Sequence, residues 1–198
     1  MKITPVHFFS PVKQIMPQKQ AATPVFGRTD KDFFNYSTDK YAEYRLKDAL
    51  VVGRSTLTDK KTGEKSDVVI TCQLDTAMGD SYTMWELKND GSKEYMGDVN
   101  LYPSEHQGKP AAYIVRMVSV YPKTKGIGTL LHQIAIERSM MLDCGGQVYF
   151  DIYGDSEPFH YNCGYREDAD SQKAYLPDEV LAQWKEKIAK NPCLLVRH

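Results

Sequence analysis

The sequence predicts an α/β fold with a mixed, mostly antiparallel central sheet flanked by helices. Three observations carry that prediction. Short β-branched or alternating runs follow one another up to residue 120, separated by turn signals. The strand candidate Ala111–Val120 then passes through a Gly-containing turn into an apolar-faced helix that starts near Ile127. Beyond that helix, strand and helix patterns alternate to the end of the chain, the order expected of a layered α/β architecture.

The elements can be justified in order. Pro5, Pro11, Pro17 and Pro24 crowd the first 24 residues, where they remove backbone donors and block helix. Residues 1–35 are therefore expected to form an extended or disordered arm, and residues 36–198 the folded domain. Val6, Phe8, Phe9, Ile15 and Phe26 are equally compatible with an ordered arm lying along the domain. Tyr41, Tyr44, Leu46 and Leu50 permit a short helix over Asp39–Leu50, while Leu50-Val51-Val52 also reads as a strand closed by a loop near Gly63. Strands are expected at Val68–Cys72, Ser81–Leu87 and Tyr95–Tyr102, the last two joined by Asn89-Asp90-Gly91 as an antiparallel hairpin. In the helix after Ile127, the residues Ile127, Leu130, Leu131, Ile134, Ala135 and Met141 fall on one face. Gln133, Glu137 and Arg138 are expected to face away, with Gly145-Gly146 as the stop. A strand over Gln147–Tyr153 follows, then a short helix opened by Ser156-Glu157-Pro158 and a strand at Gly164-Tyr165. The chain closes with a helix over Asp178–Lys190, burying Val180, Leu181, Trp184 and Ile188, and a strand at Cys193–Val196.

Composition narrows the function classes. Hydrophobic residues make up 41% and charged residues 26% of 198, ordinary for a soluble domain. A net charge of −1 calls for no nucleic-acid or anionic-membrane partner. No apolar run approaches the roughly 20 residues that span a bilayer, and Met1–Pro11 has no apolar core of a secretory signal. Cys72, Cys144, Cys163 and Cys193 are widely spaced and match no zinc pattern, so reduced thiols, a cytoplasmic location and no metal are expected.

The informative segment is the turn Lys123-Thr124-Lys125-Gly126-Ile127-Gly128 between strand and helix. A helix start carries unpaired N–H groups and about half a positive charge. Glycines there let a backbone approach a pyrophosphate without Cβ clashes. Lys123 and Lys125 add cationic help and Thr129 a hydroxyl. Gly-x-Gly alone is equally a tight strand-to-helix connection. Rival phosphate motifs fit worse: Leu131 stands where a dinucleotide fingerprint needs its third glycine, and a P-loop Gly-Lys-Ser/Thr ending is absent.

Here the chain resembles the GNAT (Gcn-related) acetyltransferase superfamily, whose signature in this region is Arg/Gln-x-x-Gly-x-Gly/Ala. Lys123, Gly126 and Gly128 match it, after a family-like Val120-x-Pro122. Lys123 replaces the usual Arg or Gln, and the loop is shorter than the common form. The second match is Phe159-His160-Tyr161-Asn162-Cys163-Gly164-Tyr165, which looks like the family's Phe-Tyr-x-x-x-Gly-Phe. The likeness covers residues from about 80 to 167.

The resemblance implies a GNAT-like acyl-CoA acyltransferase fold that binds acetyl-CoA and acetylates an amine by direct attack, with a possible homodimer. The pantetheine arm is expected between the splayed strands Tyr113–Val120 and Gln147–Tyr153, on main-chain groups near Met117, Val118 and Val120. The pyrophosphate is expected on the amides of Lys125, Gly126, Ile127, Gly128 and Thr129. The family's acid for the leaving thiolate falls by register on His160, with Tyr161 one residue on; an imidazole of reference pKa about 6.5 is chemically adequate. His160 as a capping or packing residue fits the same pattern. Asp151 leads the candidate bases ahead of Glu86, Asp98 and Glu105, although water-mediated deprotonation needs none. Tyr82, Trp85, Tyr95 and Tyr102 could line an acceptor pocket or simply fill the core. Other acyl donors, a toxin-like aminoacyl-tRNA acetyltransferase and a non-catalytic acyl-CoA-binding or protein-interaction module stay open as alternatives.

Overall fold

The computed structural model of the chain describes residues 48–119, 126–152, 156–169 and 171–194. The expected arm and most of the Asp39–Leu50 helix lie outside these residues. Within them the chain forms β1 (Leu50–Thr58), β2 (Lys65–Thr76), β3 (Gly79–Leu87), β4 (Lys93–His106) and β5 (Lys109–Ser119). Then follow α1 (Ile127–Met141), β6 (Val148–Asp151), α2 (Glu157–Asn162), β7 (Arg166–Asp168), β8 (Lys173–Tyr175) and α3 (Asp178–Lys190). All eight strands join one sheet in the order β1-β2-β3-β4-β5-β6-β8-β7. Every neighbouring pair is antiparallel except β5 and β6. The mixed α/β class read from the sequence is the class observed.

Local chemistry explains the meander. The Asn89-Asp90-Gly91 turn joins β3 to β4, with Gly91 at φ 93 and its N–H donated to the Lys88 carbonyl at 3.0 Å. Between β1 and β2, Gly63 at φ 76 closes the loop, and Asp59 Oδ1 accepts from the N–H groups of Lys61 and Thr62 at 2.7 and 3.2 Å. The sheet core lies on the face packed by α1 and α3, where Val68, Ile70, Met84, Val99, Leu101, Ala112, Ile114 and Phe150 meet Leu131, Ile134 and Leu181. Val69 and Trp85 form a smaller cluster, with the Trp85 indole N–H donated to Thr71 at 2.9 Å. Tyr82 and Trp85, read as possible pocket residues, are buried in these two clusters.

Several expectations are corrected. Leu50 belongs to a strand, because its backbone pairs with Cys72. The polar face of α1 does not look outward: Gln133 and Glu137 are buried. The reason is the chain end, which folds over that face. Glu137 accepts from the N–H groups of Cys193 and Leu194 at 2.9 Å each, and Gln133 Nε2 donates to Asn191 O at 2.8 Å. Arg138 lies against Asp80, its two guanidinium nitrogens donating at 2.9 and 2.7 Å. The expected last strand reduces, among the described residues, to one bridge from Leu194 to Gly53.

Nor do Gly145 and Gly146 stop α1. Asp143 takes the left-handed position at φ 58, Cys144 N–H reaches Ser139 O at 3.0 Å, and Asp143 N–H reaches Met140 O at 3.4 Å. Asp tolerates that conformation because its short polar side chain bonds locally. The two glycines, at φ 60 and 85, then turn the chain into β6. Ser156 precedes α2 with helical backbone and no side-chain cap bond, while Pro158 sits in the first turn as expected. Gly164-Tyr165 is a turn into an unforeseen β7–β8 hairpin rather than a strand.

Candidate active site

The one parallel pair of the sheet is also its shortest neighbour contact in relation to strand length. β5 and β6 share only the rungs Ala112↔Val148 and Tyr113↔Tyr149, with Ala112 N–H on Gln147 O at 2.8 Å. β5 continues to Ser119 and β6 to Asp151 without further pairing to each other. A strand edge that parts from its neighbour presents main-chain N–H and C=O groups that need other partners.

A β-bulge decides which groups those are. Leu101 faces Ile114 but Asn100 faces Arg116, so Val115 is the extra residue on β5. Ala112 and Ile114 direct their amides toward β6, and the inserted residue reverses the alternation, which turns Met117 to the gap and Val118 to β4. The Val118 carbonyl lies against Gly97, where a Cβ would come within 2.4 Å of it. Val120, Lys123 and Lys125 lie outside the described residues.

Beyond the gap, α1 starts at Gly126, which has φ 73 and ψ 17; among the described residues no side chain caps the helix, and no acid lies in its first turn. Leu130 N–H closes the first helical bond on Gly126 O at 3.1 Å. The amides of Ile127, Gly128 and Thr129 therefore have no helical acceptor. The two glycines serve different needs. A Cβ on Gly126 would meet nothing within 4 Å, so its glycine answers to the positive φ. A Cβ on Gly128 would lie 2.6 Å from Phe159 Cζ, so that glycine seats α2 on α1.

Through that seat α2 brings His160 to the wall of the gap. Its ring packs on Phe150, centroids 4.5 Å apart, at the first β6 position beyond the last shared rung. His160 retains 9% of its surface, and its Nδ1 lies 3.1 Å from Nε2 of His132 on α1. His132 is fully buried, and its Nδ1 lies 2.9 Å from the Tyr165 hydroxyl. Burial pushes the His132 imidazole well below its usual pKa, reinforced by neighbouring His160; burial likewise lowers His160. Both shifts favour the neutral ring.

Tyr161 faces the other way. It is exposed, its hydroxyl donating to Glu157 at 2.9 Å or Glu167 at 3.3 Å. The Glu157 hydrogen bond, with smaller contributions from partial burial and the two carboxylates, raises the phenol to about 12.

On the sheet face opposite α1, Asp151 accepts from the Tyr113 hydroxyl, and Lys173 Nζ stands 5.3 Å from the Tyr113 ring and 5.1 Å from the Tyr149 ring. Tyr102, 41% exposed, meets Tyr113 edge-on at 5.5 Å. The other carboxylates weighed from sequence are occupied or remote: Glu86 binds Ser66 and Lys88, and Asp98 binds Arg116 and Tyr95. Glu105 sits on the exposed end of β4. Tyr95 stacks edge-on against Trp85. The sequence reading missed His132, Tyr165, Tyr113 and Lys173. Tyr165 carried one signal, as the closing aromatic of the second family-like segment; His132, Tyr113 and Lys173 had none.

No family model matches the sequence, and no curated protein matches it. Solved structures do match. The KacTA–DNA complex aligns at TM-score 0.45 and 15% identity, over 57% of this chain and 76% of that one. A point mutant of the AtaT toxin, bound to the C-terminus of the antitoxin AtaR and acetyl-CoA, aligns at 0.41 and 16%, over 52% and 71%. In fold, the chain is similar to GNAT acetyltransferases. A GCN5-related glucosamine N-acetyltransferase region of a fungal multi-domain GH3 beta-N-acetylglucosaminidase is a third GNAT example, at 0.37 and 19%, over 46% of this chain and 12% of that one. At these identities the GNAT likeness is one of fold. Among the described residues, no helix is long and apolar enough to cross a membrane. All four cysteines are free thiols, Cys72, Cys144 and Cys193 buried and Cys163 half-buried.

Proposed function

We propose that the chain is an acetyl-CoA-dependent N-acetyltransferase. The observation that carries this reading is the parting of β5 from β6 after two rungs, beside a helix start that no side chain among the described residues caps. The geometry fits the group it would hold. The open edge of β5 at Met117 suits the amide-rich pantetheine arm, with Val118 beside it on the strand and Val120 two residues further along the sequence. The amides of Gly126, Ile127, Gly128 and Thr129 suit a diphosphate, and the open space at the Gly126 Cβ position leaves it room. Lys123 and Lys125 add positive charge in the sequence just before this helix start. Bound acetyl-CoA supplies a thioester carbonyl: the amine forms a C–N bond, the C–S bond breaks, and sulfur leaves with the electron pair.

The chain's own residues then have separate tasks. His160, on the wall of the gap, serves the leaving sulfur. Asp151, held by Tyr113 at the end of β6, attracts the incoming ammonium and takes its proton directly or through water. Tyr113, Tyr149 and Tyr102 offer the aromatic surface along which an amine-bearing acceptor reaches the gap. The acceptor is a small amine, a peptide N-terminus or a lysine, and the reaction uses no metal. The chain works as a soluble cytoplasmic enzyme without nucleic acid, as a monomer or homodimer.

The test has two stages. Acetyl-CoA should raise the melting temperature by mass action on the folded state. Thiol release over an amine panel should then find an acceptor. Absence of both overturns the reading; stabilisation without thiol release from any amine would instead make the chain an acyl-CoA-binding module. His160→Phe should slow turnover while sparing acetyl-CoA affinity.

A further inference from the structure

The buried contacts behind His160 decide how that side chain can act. Three groups form a line: Tyr165 hydroxyl, His132 and His160, with separations of 2.9 and 3.1 Å. Their polarity follows from counting donors. Tyr165 is buried, and among the described residues His132 Nδ1 is the hydrogen-bond partner of its hydroxyl. A phenol has one proton to donate, and a neutral imidazole has one donor and one acceptor nitrogen. If the hydroxyl donates to His132 Nδ1, then His132 carries its proton on Nε2 and donates to His160 Nδ1. His160 must then carry its own proton on Nε2. The reverse polarity leaves the tyrosine proton unpaired in the core, which is the costlier arrangement. Nor can either ring easily become charged and donate at both nitrogens, because His132 is sealed at 0% exposure among Phe150, Phe159 and Tyr165.

We propose that Tyr165 and His132 are positioning residues that hold His160 as the Nε2–H tautomer, so that His160 presents a hydrogen-bond donor and not a base to the gap. This rests on the transferase reading for its target, the leaving sulfur. It also refines that reading. A neutral imidazole that gave up its Nε2 proton would become an imidazolate, so His160 stabilises the charge on sulfur by donating a hydrogen bond and keeps its proton. The proton that sulfur finally takes is one shed by the former amine nitrogen, which balances the reaction without ionising the relay. The arrangement accounts for a fully buried histidine on α1: it transmits the preference of one tyrosine proton across to α2.

The experiment is nitrogen-15 NMR of histidine tautomers in the full chain at pH 7.5, with Tyr165→Phe as the variant. The wild type should show His132 and His160 each protonated on Nε2. Tyr165→Phe should shift His160 toward a mixture of tautomers and lower kcat about tenfold, the size of losing a partner that orients an active group, with KM for acetyl-CoA unchanged. A wild-type His160 protonated on Nδ1 overturns the relay, and so does a Tyr165→Phe variant with unchanged tautomer and kcat. The wild-type spectrum alone settles the tautomer, so a variant that failed to fold would leave the proposal falsifiable. An Nε2–H tautomer in a chain that releases no thiol from acetyl-CoA with any amine would uphold the relay and overturn the transferase reading.

Discussion

Glu137→Ala offers the sharpest test of how the domain closes. The carboxylate lies in the middle of α1 with 3% exposure and accepts three hydrogen bonds: from Gln133 Nε2, Cys193 N–H and Leu194 N–H, each at 2.9 Å. Alanine removes all three acceptors. Orphaning two buried backbone N–H groups costs about 1–3 kcal/mol each if the chain end stays in place. The alternative is for residues 191–194 to peel away and be hydrated, at the cost of exposing Leu194, about 1.5–3 kcal/mol, with a smaller loss at Cys193. The cheaper route sets the outcome, so Glu137→Ala should lose about 3 kcal/mol. Glu137→Gln, which keeps one carbonyl oxygen for the two amides, should lose about 1 kcal/mol. Urea unfolding measures the first pair of values. Hydrogen exchange should show the Cys193 and Leu194 amides losing protection in the alanine variant while the β2 and β3 amides keep theirs. A loss under about 0.5 kcal/mol for Glu137→Ala, within the range of ordinary surface changes, would refute the idea that this carboxylate anchors the chain end.

Gly128→Ala should cost about 1–3 kcal/mol by driving a methyl into Phe159, and Phe159→Leu in the same chain should recover part of it; strict additivity in urea unfolding would count against that contact. Gly126→Ala should cost about 1–2 kcal/mol from the left-handed backbone alone, since its Cβ meets nothing, and Gly126→Asn should cost less; equal losses for Ala and Asn would contradict this origin. Stability should also fall on acidification. His132 binds a proton less readily when folded than when unfolded, so the unfolded chain holds more protons just below pH 6.5. Unfolding free energy should therefore drop between pH 6.5 and 5.5 by up to about 1 kcal/mol for this one group; a flat or rising profile over that interval would show that His132 is not held neutral.

Much of this was legible because it depends on neighbours in sequence. The β-branched runs, the Asn89-Asp90-Gly91 turn and the Gly126 start of α1 are local choices of backbone conformation, and each stands where the pattern put it. The β4–β5 turn escaped notice because Gln107-Gly108 lacks the usual Asn-Gly or Asp-Gly signal. Both residues nonetheless take positive φ, 52 and 72, and Gln107 is held by a bond to Asp168 far along the chain. The polar side of α1 misled for a similar reason: periodicity reports which residues are apolar, and cannot report that a distant chain end will come to use Glu137 as an acceptor.

The candidate site divides along the same line. The sequence by itself determined the helix start at Gly126, the short helix that carries His160, and the likeness to GNAT acetyltransferases, because those are short motifs whose meaning lies in adjacent residues. Only the tertiary structure decided the rung, Tyr113 with Tyr149, at which the expected splay of β5 from β6 begins, that Gly128 is empty to admit Phe159, and that His160 is backed by His132 and Tyr165. Each of these is a contact between segments tens of residues apart. Its energy comes from excluding water around groups that a linear pattern never places side by side.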